Sequence, residues 1–129
     1  MGLHWTALVT LVALLVYSWM LTNAGKARGK YKVKAPATDG PIEFQSALRV
    51  QANTVEQMVV FFPALWMCAV FLGDSWAALG GFIWVIGRIV YALGYYQAPA
   101  KRSLGFGITA FGTLALMVGA AIGLFLHWS

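Results

Sequence analysis

The chain has 129 residues, of which 60% are hydrophobic and only 10% are charged, and its mean hydropathy is +0.74. Soluble domains carry about 25% charged residues, so this composition excludes an ordinary soluble domain and is typical of a membrane protein. The net charge of +5 comes from basic residues that flank hydrophobic segments, which favours membrane topology over nucleic-acid binding.

Four apolar stretches are long enough to cross a bilayer, whose core of about 30 Å takes roughly 20 residues of helix. The predicted spans, in chain order, are Leu3–Leu21, Ala47–Leu72, Trp76–Tyr96 and Leu104–Trp128. The first stretch lacks a basic leader, so we interpret it as a retained helix, with signal cleavage near Ala24 as the alternative. The sequence predicts an all-α, integral membrane four-helix bundle, with one domain over residues 1–129.

Three connections join the predicted helices. Thr22–Ser46 is predicted to be a long loop, Gly73–Ser75 a tight turn that makes an antiparallel hairpin, and Gln97–Ser103 a short loop. Four crossings put the first and third loops on one side of the membrane, and these loops hold the basic residues Lys26, Arg28, Lys30, Lys32, Lys34, Lys101 and Arg102. The positive-inside rule then predicts that the basic loops face the cytoplasm and that both termini lie on the non-cytoplasmic side.

Polar residues form a stripe inside each of the second and third helices. Arg49, Asn53 and Glu56 have the spacing i, i+4, i+7. The third helix has Arg88, Tyr91 and Tyr95 at i, i+3, i+7. Each spacing places its three side chains on one helical face. Ionisable groups within a membrane span cost several kcal/mol unless they are paired or hydrated. The residues of both stripes are therefore candidate functional residues.

A purely structural interpretation pairs Glu56 with Arg88, because the two are predicted to lie at similar depth. It leaves Arg49 and Arg102 without partners and does not explain why the polar groups cluster at one end of the helices. A functional interpretation assigns the arginines to carboxylates, Glu56 to an ammonium group, and the amide and phenol groups to peptide bonds. This set predicts an anionic, peptide-like ligand and contains no typical metal site.

Two further patterns concern helix packing. Gly119 and Gly123 form a GxxxG pattern, which permits another helix to approach closely and serves either ordinary packing or a specific dimer contact. Pro63 inside the second helix removes a backbone hydrogen bond and predicts a kink. The lone cysteine, Cys68, excludes an intramolecular disulfide.

Taken in order, four motifs resemble one family across essentially the whole chain. They are Gly40-Pro-Ile-Glu-Phe44, Arg49-Val-Gln-Ala-Asn-Thr-Val-Glu-Gln57, Gly87-Arg-Ile-Val-Tyr-Ala-Leu-Gly-Tyr95 and Arg102-Ser103. The sequence is similar to the membrane-associated proteins in eicosanoid and glutathione metabolism, the MAPEG family. This resemblance implies a homotrimer of four-helix subunits that binds glutathione, as co-substrate, between neighbouring subunits near the cytoplasmic face.

The resemblance also implies a role for each site residue. The residues that match the glutathione pocket are Arg49, Asn53, Glu56, Arg88, Tyr91 and Tyr95, whereas Arg28 and Gln51 match positions supplied by the adjoining subunit. Gln51 lies about 200° round the helix from Arg49, which agrees with a shared site, and Lys26 is an alternative to Arg28. Gln57 stands where conjugating relatives often have tyrosine.

Arg102 matches the arginine that points at the glutathione sulfur in catalytic relatives, and a guanidinium there favours the nucleophilic thiolate. The alternative is that Lys101 and Arg102 merely mark the membrane boundary. The resemblance implies a detoxifying glutathione transferase for hydrophobic electrophiles, and it admits glutathione peroxidase activity on lipid hydroperoxides. Two alternatives remain, a non-catalytic lipid-binding protein of the same fold and a small multidrug transporter. The second predicts an acidic residue in the first helix, where Leu3–Leu21 has none.

Overall fold

A computed structural model describes residues 2–129 and consists of four long helices joined by short connections. The helices are α1 (His4–Tyr31), α2 (Ile42–Phe71), α3 (Asp74–Gln97) and α4 (Ser103–Leu126), and a 3₁₀ helix at Pro99–Arg102 precedes α4. Each long helix has the length and apolar composition needed to cross a membrane. The predicted all-α architecture is confirmed, and the chain is an integral, multi-pass membrane protein.

The helices alternate in direction, so the bundle has two distinct ends. At one end lie the loop 32–41 and the 3₁₀ helix Pro99–Arg102, and we call this the basic end. The opposite end holds the short connection Leu72-Gly73, and we call it the turn end. Both α2 and α3 pack against all three other helices. The polar stripes of the sequence therefore lie on the two most central helices.

The predicted loop Thr22–Ser46 is shorter in the structure, because α1 continues ten residues beyond Leu21 and α2 begins at Ile42. The estimate from bilayer thickness was wrong here, since a 28-residue helix is about 42 Å long and extends past the hydrocarbon core. The helix ends only where Lys32 adopts a left-handed conformation, with φ of 56°. The segment carrying Lys26, Arg28 and Lys30 is consequently helical.

The centre of the bundle is closely packed by aromatic and small side chains. Phe61 of α2 and Trp84 of α3 stack in parallel, with ring centroids 3.8 Å apart. Gly119 and Gly123 of the GxxxG pattern lie against α2 of the same chain, near Cys68 and the backbone of Phe71. The pattern therefore serves packing within the subunit, which is the first of the two interpretations.

At the turn end, Asp74 caps the beginning of α1 from the neighbouring helix α3. Its carboxylate accepts hydrogen bonds from the backbone N–H of Trp5 at 3.1 Å and of Thr6 at 2.8 Å. The hydroxyl of Thr6 donates a third bond of 2.7 Å. These bonds satisfy backbone donors that lack partners within the helix. Asp74 is the first residue of α3, whereas the sequence analysis predicted that it lies in the turn Gly73–Ser75.

Candidate functional site

The side chain of Arg88 is fully buried among α2, α3 and α4. Its Nη1 donates to Oδ1 of Asn53 at 2.8 Å and to Oγ1 of Thr54 at 3.2 Å, and its Nε donates to Oγ1 of Thr109 at 3.0 Å. Within residues 2–129, its Nη2 has no hydrogen-bond partner. Arg88 therefore joins three helices and orients the amide of Asn53.

Two tyrosines connect Arg88 to Arg102 along α3. The guanidinium carbon of Arg88 lies 4.2 Å from the ring centroid of Tyr91, whose ring meets that of Tyr95 edge to face at 5.6 Å. The guanidinium carbon of Arg102 lies 5.6 Å from the Tyr95 centroid. Cation–π contacts of this kind are attractive at such distances. The four side chains form a continuous ladder that runs toward the basic end, and Arg102 is its exposed terminus.

The 3₁₀ helix and α4 determine where Arg102 lies. Nη1 of Arg102 donates a 2.7 Å hydrogen bond to the carbonyl oxygen of Pro99, which restrains the side chain. One turn into α4, Gly105 lies directly against the backbone of Tyr91, so that any Cβ at this position would collide with it. The absence of a side chain at Gly105 allows α4 to pack this closely against the tyrosine ladder.

Arg49 and Glu56 form an ion pair on the outer face of α2. Nη2 of Arg49 lies 3.7 Å from Oε1 of Glu56, and the two side chains are 51% and 59% exposed. The structural interpretation that paired Glu56 with Arg88 is wrong, because Arg88 donates to Asn53 and Thr54 whereas Glu56 pairs with Arg49.

An open cleft at the basic end contains a second group of predicted residues. Its volume is about 570 Å³, and its lining residues are Arg28, Thr38, Asp39, Gln45, Leu48, Arg49, Gln51 and Ala52. Arg28 is held there by donating to the carbonyl oxygens of Val33 at 3.3 Å and Ala37 at 2.8 Å. Its guanidinium carbon also lies 5.4 Å from the ring centroid of Phe44. The loop 32–41 is thereby fastened to α1 and α2.

The cleft brings Arg49 and Gln51 to one surface of a single chain, although they lie about 200° apart round α2. Gln45, Leu48 and Ala52 of α2 line the same cleft. Oε1 of Gln51 accepts a 3.3 Å hydrogen bond from Tyr17 of α1. Of the two candidates on α1, Arg28 lines the cleft and Lys26 does not.

The nine predicted residues thus fall into three adjoining groups. Arg28, Arg49 and Gln51 line the cleft, Arg49 and Glu56 pair on α2, and the remaining residues, which are Asn53, Arg88, Tyr91, Tyr95 and Arg102, form the buried network and the ladder. Arg88 is completely buried within the chain, so its side chain is not exposed to a ligand. The resemblance implies instead that Arg88 lines the glutathione pocket. Tyr91 is only 3% exposed.

Sequence reasoning missed the two threonines that bind Arg88. Thr54 and Thr109 are fully buried or nearly so. Thr109 carries a recognisable signal, because it falls in a row of small residues along α4 at helical spacing, between Gly105 and Gly112. A hydroxyl within such a row faces a neighbouring helix and is available to a polar group there. Thr54 adjoins Asn53 but lies off the predicted stripe.

Comparison with known proteins shows which family the chain belongs to. The model of the MAPEG family matches residues 6–122. The chain belongs to the MAPEG family. An uncharacterized protein of Synechocystis sp. is 44% identical over 122 residues, which cover 95% of this chain and 89% of that protein.

Two other relatives of this MAPEG protein have named activities. Microsomal glutathione S-transferase 2 of Homo sapiens is 37% identical over 86% of this chain and 75% of its own length. Leukotriene C4 synthase of Mus musculus is 32% identical over 95% of this chain and 81% of its own length. The alignments include α2, α3 and the segment with Arg102, since they span most of both chains.

Proposed function

We propose that the protein is a membrane glutathione transferase in which Arg102 activates the thiol of glutathione. The observation that carries this proposal is the ladder from Arg88 through Tyr91 and Tyr95, which ends in the exposed Arg102 at the basic end. The names of the two relatives, a glutathione S-transferase and leukotriene C4 synthase, support a reaction that uses glutathione.

The charges near the cleft suit the functional groups of glutathione. The tripeptide has two carboxylates, one ammonium group, two amides and a thiol. Arg28 and Arg49 offer guanidinium groups for the carboxylates, while Glu56 and Asp39 offer carboxylates for the ammonium group. We assign Arg49, Asn53, Glu56 and Tyr95 to contact with the ligand, together with Arg28 and Gln51 at the cleft. Arg88 and Tyr91 act as positioning residues.

The proposal includes a homotrimer in which the site lies between subunits. Arg49 and Glu56 are half exposed on a face of α2 that also exposes Val55 and Val59. Charged side chains at this depth are costly in lipid, so a neighbouring subunit or ligand that covers them removes a large penalty. We place the basic end in the cytoplasm, because the last turns of α1, the loop 32–41 and the 3₁₀ helix together hold seven of the nine basic residues.

The reaction joins two reactants that occupy different phases. Glutathione arrives from water at the basic end, and a hydrophobic electrophile reaches the site through the bilayer, so the protein removes the need for a chance encounter. A free thiol has a pKa of about 8.5, and a guanidinium beside it favours the thiolate. The thiolate then attacks the electrophile and forms a carbon–sulfur bond, and with an aryl halide the halide ion leaves. With a lipid hydroperoxide, two glutathione molecules are oxidised to the disulfide while the hydroperoxide becomes an alcohol and water.

Replacing Arg102 by alanine tests the proposal, with Lys101→Ala as the matched control. Lys101 is the adjacent exposed cation and hydrogen-bonds Gln97, so its loss changes net charge equally without touching the ladder. The dissociation constant of Arg102→Ala for glutathione should stay within about threefold of wild type. Its conjugation of an aryl halide should be about 100-fold slower, since one preorganised group contributes about that factor to the rate. Calorimetry and turnover measurements give the two quantities.

The outcome also separates an enzyme from a non-catalytic lipid-binding protein of the same fold. An enzyme turns glutathione over with the aryl halide, and its turnover depends on Arg102 but not on Lys101. A wild-type protein without turnover, or an Arg102→Ala variant as active as wild type, would overturn the proposed role of Arg102.

A further inference from the structure

One face of α1 changes from apolar to polar to basic along its length. Six residues at spacings of three and four lie within about 40° of a single line on the helix. In chain order they are Val12, Val16, Trp19, Asn23, Lys26 and Lys30. The apolar members come first, and the lysines lie on the extension toward the basic end.

The apolar part of this face forms one wall of a groove against α3. The groove has a volume of about 350 Å³, and its lining residues are Val12, Leu15, Val16, Trp19, Ile89 and Leu93. Toward the basic end it meets two polar groups. The Trp19 ring contacts that of Tyr96 edge to face at 5.9 Å, and Nδ2 of Asn23 donates to the Tyr96 hydroxyl at 3.2 Å. Indole, phenol and amide groups together are typical of the membrane–water interface.

The two lysines beyond this interface are free to bind an anion. Lys26 and Lys30 are exposed, and the one ion pair found among residues 2–129 joins Arg49 and Glu56. Lys30 additionally packs its ammonium group 5.2 Å from the ring centroid of Tyr31. Their charges are therefore not neutralised within the subunit.

We propose that this face binds an anionic glycerophospholipid from the leaflet at the basic end. An acyl chain occupies the groove, and the headgroup phosphate lies between Lys26 and Lys30. Val12 and Lys26 are fourteen residues apart, or about 21 Å along the helix, which matches one leaflet of a bilayer about 40–45 Å thick with its headgroups. Charge and length thus both select a lipid of this class.

This lipid site is separate from the proposed glutathione site. Its residues lie on α1 and on α3 at Ile89 and Leu93, and none of them lines the cleft that holds Arg28 and Arg49. The inference goes beyond the proposed function and does not depend on it. A protein that proved inactive toward glutathione would still show the lipid preference.

The test compares phosphatidylglycerol with phosphatidylcholine of identical acyl chains, bound to the purified full-length protein and counted by native mass spectrometry. Wild type should retain phosphatidylglycerol about thirtyfold more strongly, because each lysine near a membrane surface contributes roughly a fivefold preference. The double variant Lys26→Gln, Lys30→Gln should lose this preference. The matched control Lys32→Gln, Lys34→Gln removes two exposed lysines that lie outside α1 and should keep it.

A second variant tests the groove independently of charge. Val16→Trp fills the groove and should reduce retention of both lipids, whereas circular dichroism should report an unchanged helix content. Glycerol 3-phosphate at millimolar concentration should not displace phosphatidylglycerol, since it lacks acyl chains. Equal retention of the two lipids by wild type, equal loss in the control double variant, or displacement by glycerol 3-phosphate would each overturn the proposal.

Discussion

Nη1 of Arg88 donates a hydrogen bond of 2.8 Å to Oδ1 of Asn53, which ties α3 to the polar face of α2. Because Arg88 is fully buried, it orients Asn53 without presenting itself to a ligand. The same guanidinium also holds Thr109 of α4 at 3.0 Å. A single buried cation therefore links α2, α3 and α4.

Arg88→Met should weaken glutathione binding about tenfold, because hydrogen bonds to charged groups contribute about 1.5–3 kcal/mol and Asn53 loses its orientation. Stability should also fall by about 1–3 kcal/mol, because buried polar groups of Asn53, Thr54 and Thr109 lose their partner. A double-mutant cycle with Asn53→Ala checks the mechanism by calorimetry. Non-additive losses of glutathione-binding free energy indicate that Arg88 acts through Asn53, whereas strictly additive losses would contradict this mechanism.

Arg49→Gln and Glu56→Gln distinguish a ligand site from a structural ion pair. The pair is half exposed with N···O of 3.7 Å, so each change should alter the free energy of unfolding by less than about 1 kcal/mol. Each should nevertheless weaken glutathione binding at least about tenfold, because each removes a charge assigned to the ligand. Chemical denaturation and calorimetry measure the two effects. Loss of stability with unchanged affinity would favour a purely structural role.

Gly105→Ala should destabilise the bundle by about 1–3 kcal/mol, because the added methyl group collides with the Tyr91 backbone and forces α4 outward. Gly107→Ala is the matched control. It lies two residues further along α4, where no atom is within 4 Å of an added Cβ, and alanine there should be neutral or stabilising by up to about 1 kcal/mol. Denaturation midpoints compare the two. Similar effects at both positions would refute the close contact between α4 and Tyr91.

Asp74→Ala should lower the thermal unfolding midpoint, because three donors at the start of α1 lose their acceptor. Asp39→Ala removes an exposed carboxylate from the loop 32–41 and serves as the control, with an unchanged midpoint. Hydrogen exchange should locate the loosening at Trp5 and Thr6. Faster exchange spread evenly over the bundle would argue against a local cap.

The sequence predicted the helices well where hydrophobicity alone determines them. Bilayer thickness could not locate the end of α1, because the segment Thr22–Tyr31 is polar and contains Gly25 and Gly29 but no proline, and the helix continues through both glycines. The helix ends at Tyr31, and a turn follows at Ala35 and Pro36, closed by a 3.0 Å hydrogen bond from the N–H of Ala37 to the carbonyl oxygen of Lys34.

Helical spacing predicted which polar residues share a face but not which of them pair. Arg49 and Glu56 share a line on α2 and do form an ion pair. The partners of Arg88 depend on the rotation of α2 about its axis relative to α3, and the sequence does not encode that angle in any single motif. Packing of small residues on α4 determines the third partner, Thr109.

The central claim is that the charged groups within the bundle bind glutathione. The most direct test is the thermal unfolding midpoint of the detergent-purified protein with glutathione and with its dimethyl ester, which lacks both carboxylates. Glutathione at about 100 times its dissociation constant should stabilise the protein by about 2.7 kcal/mol and raise the midpoint by several degrees. The ester should have almost no effect, and a tenfold weaker site in Arg49→Gln should reduce the stabilisation to about 1.4 kcal/mol or less. An unchanged midpoint in wild type, or an equal shift with the ester, would contradict the claim.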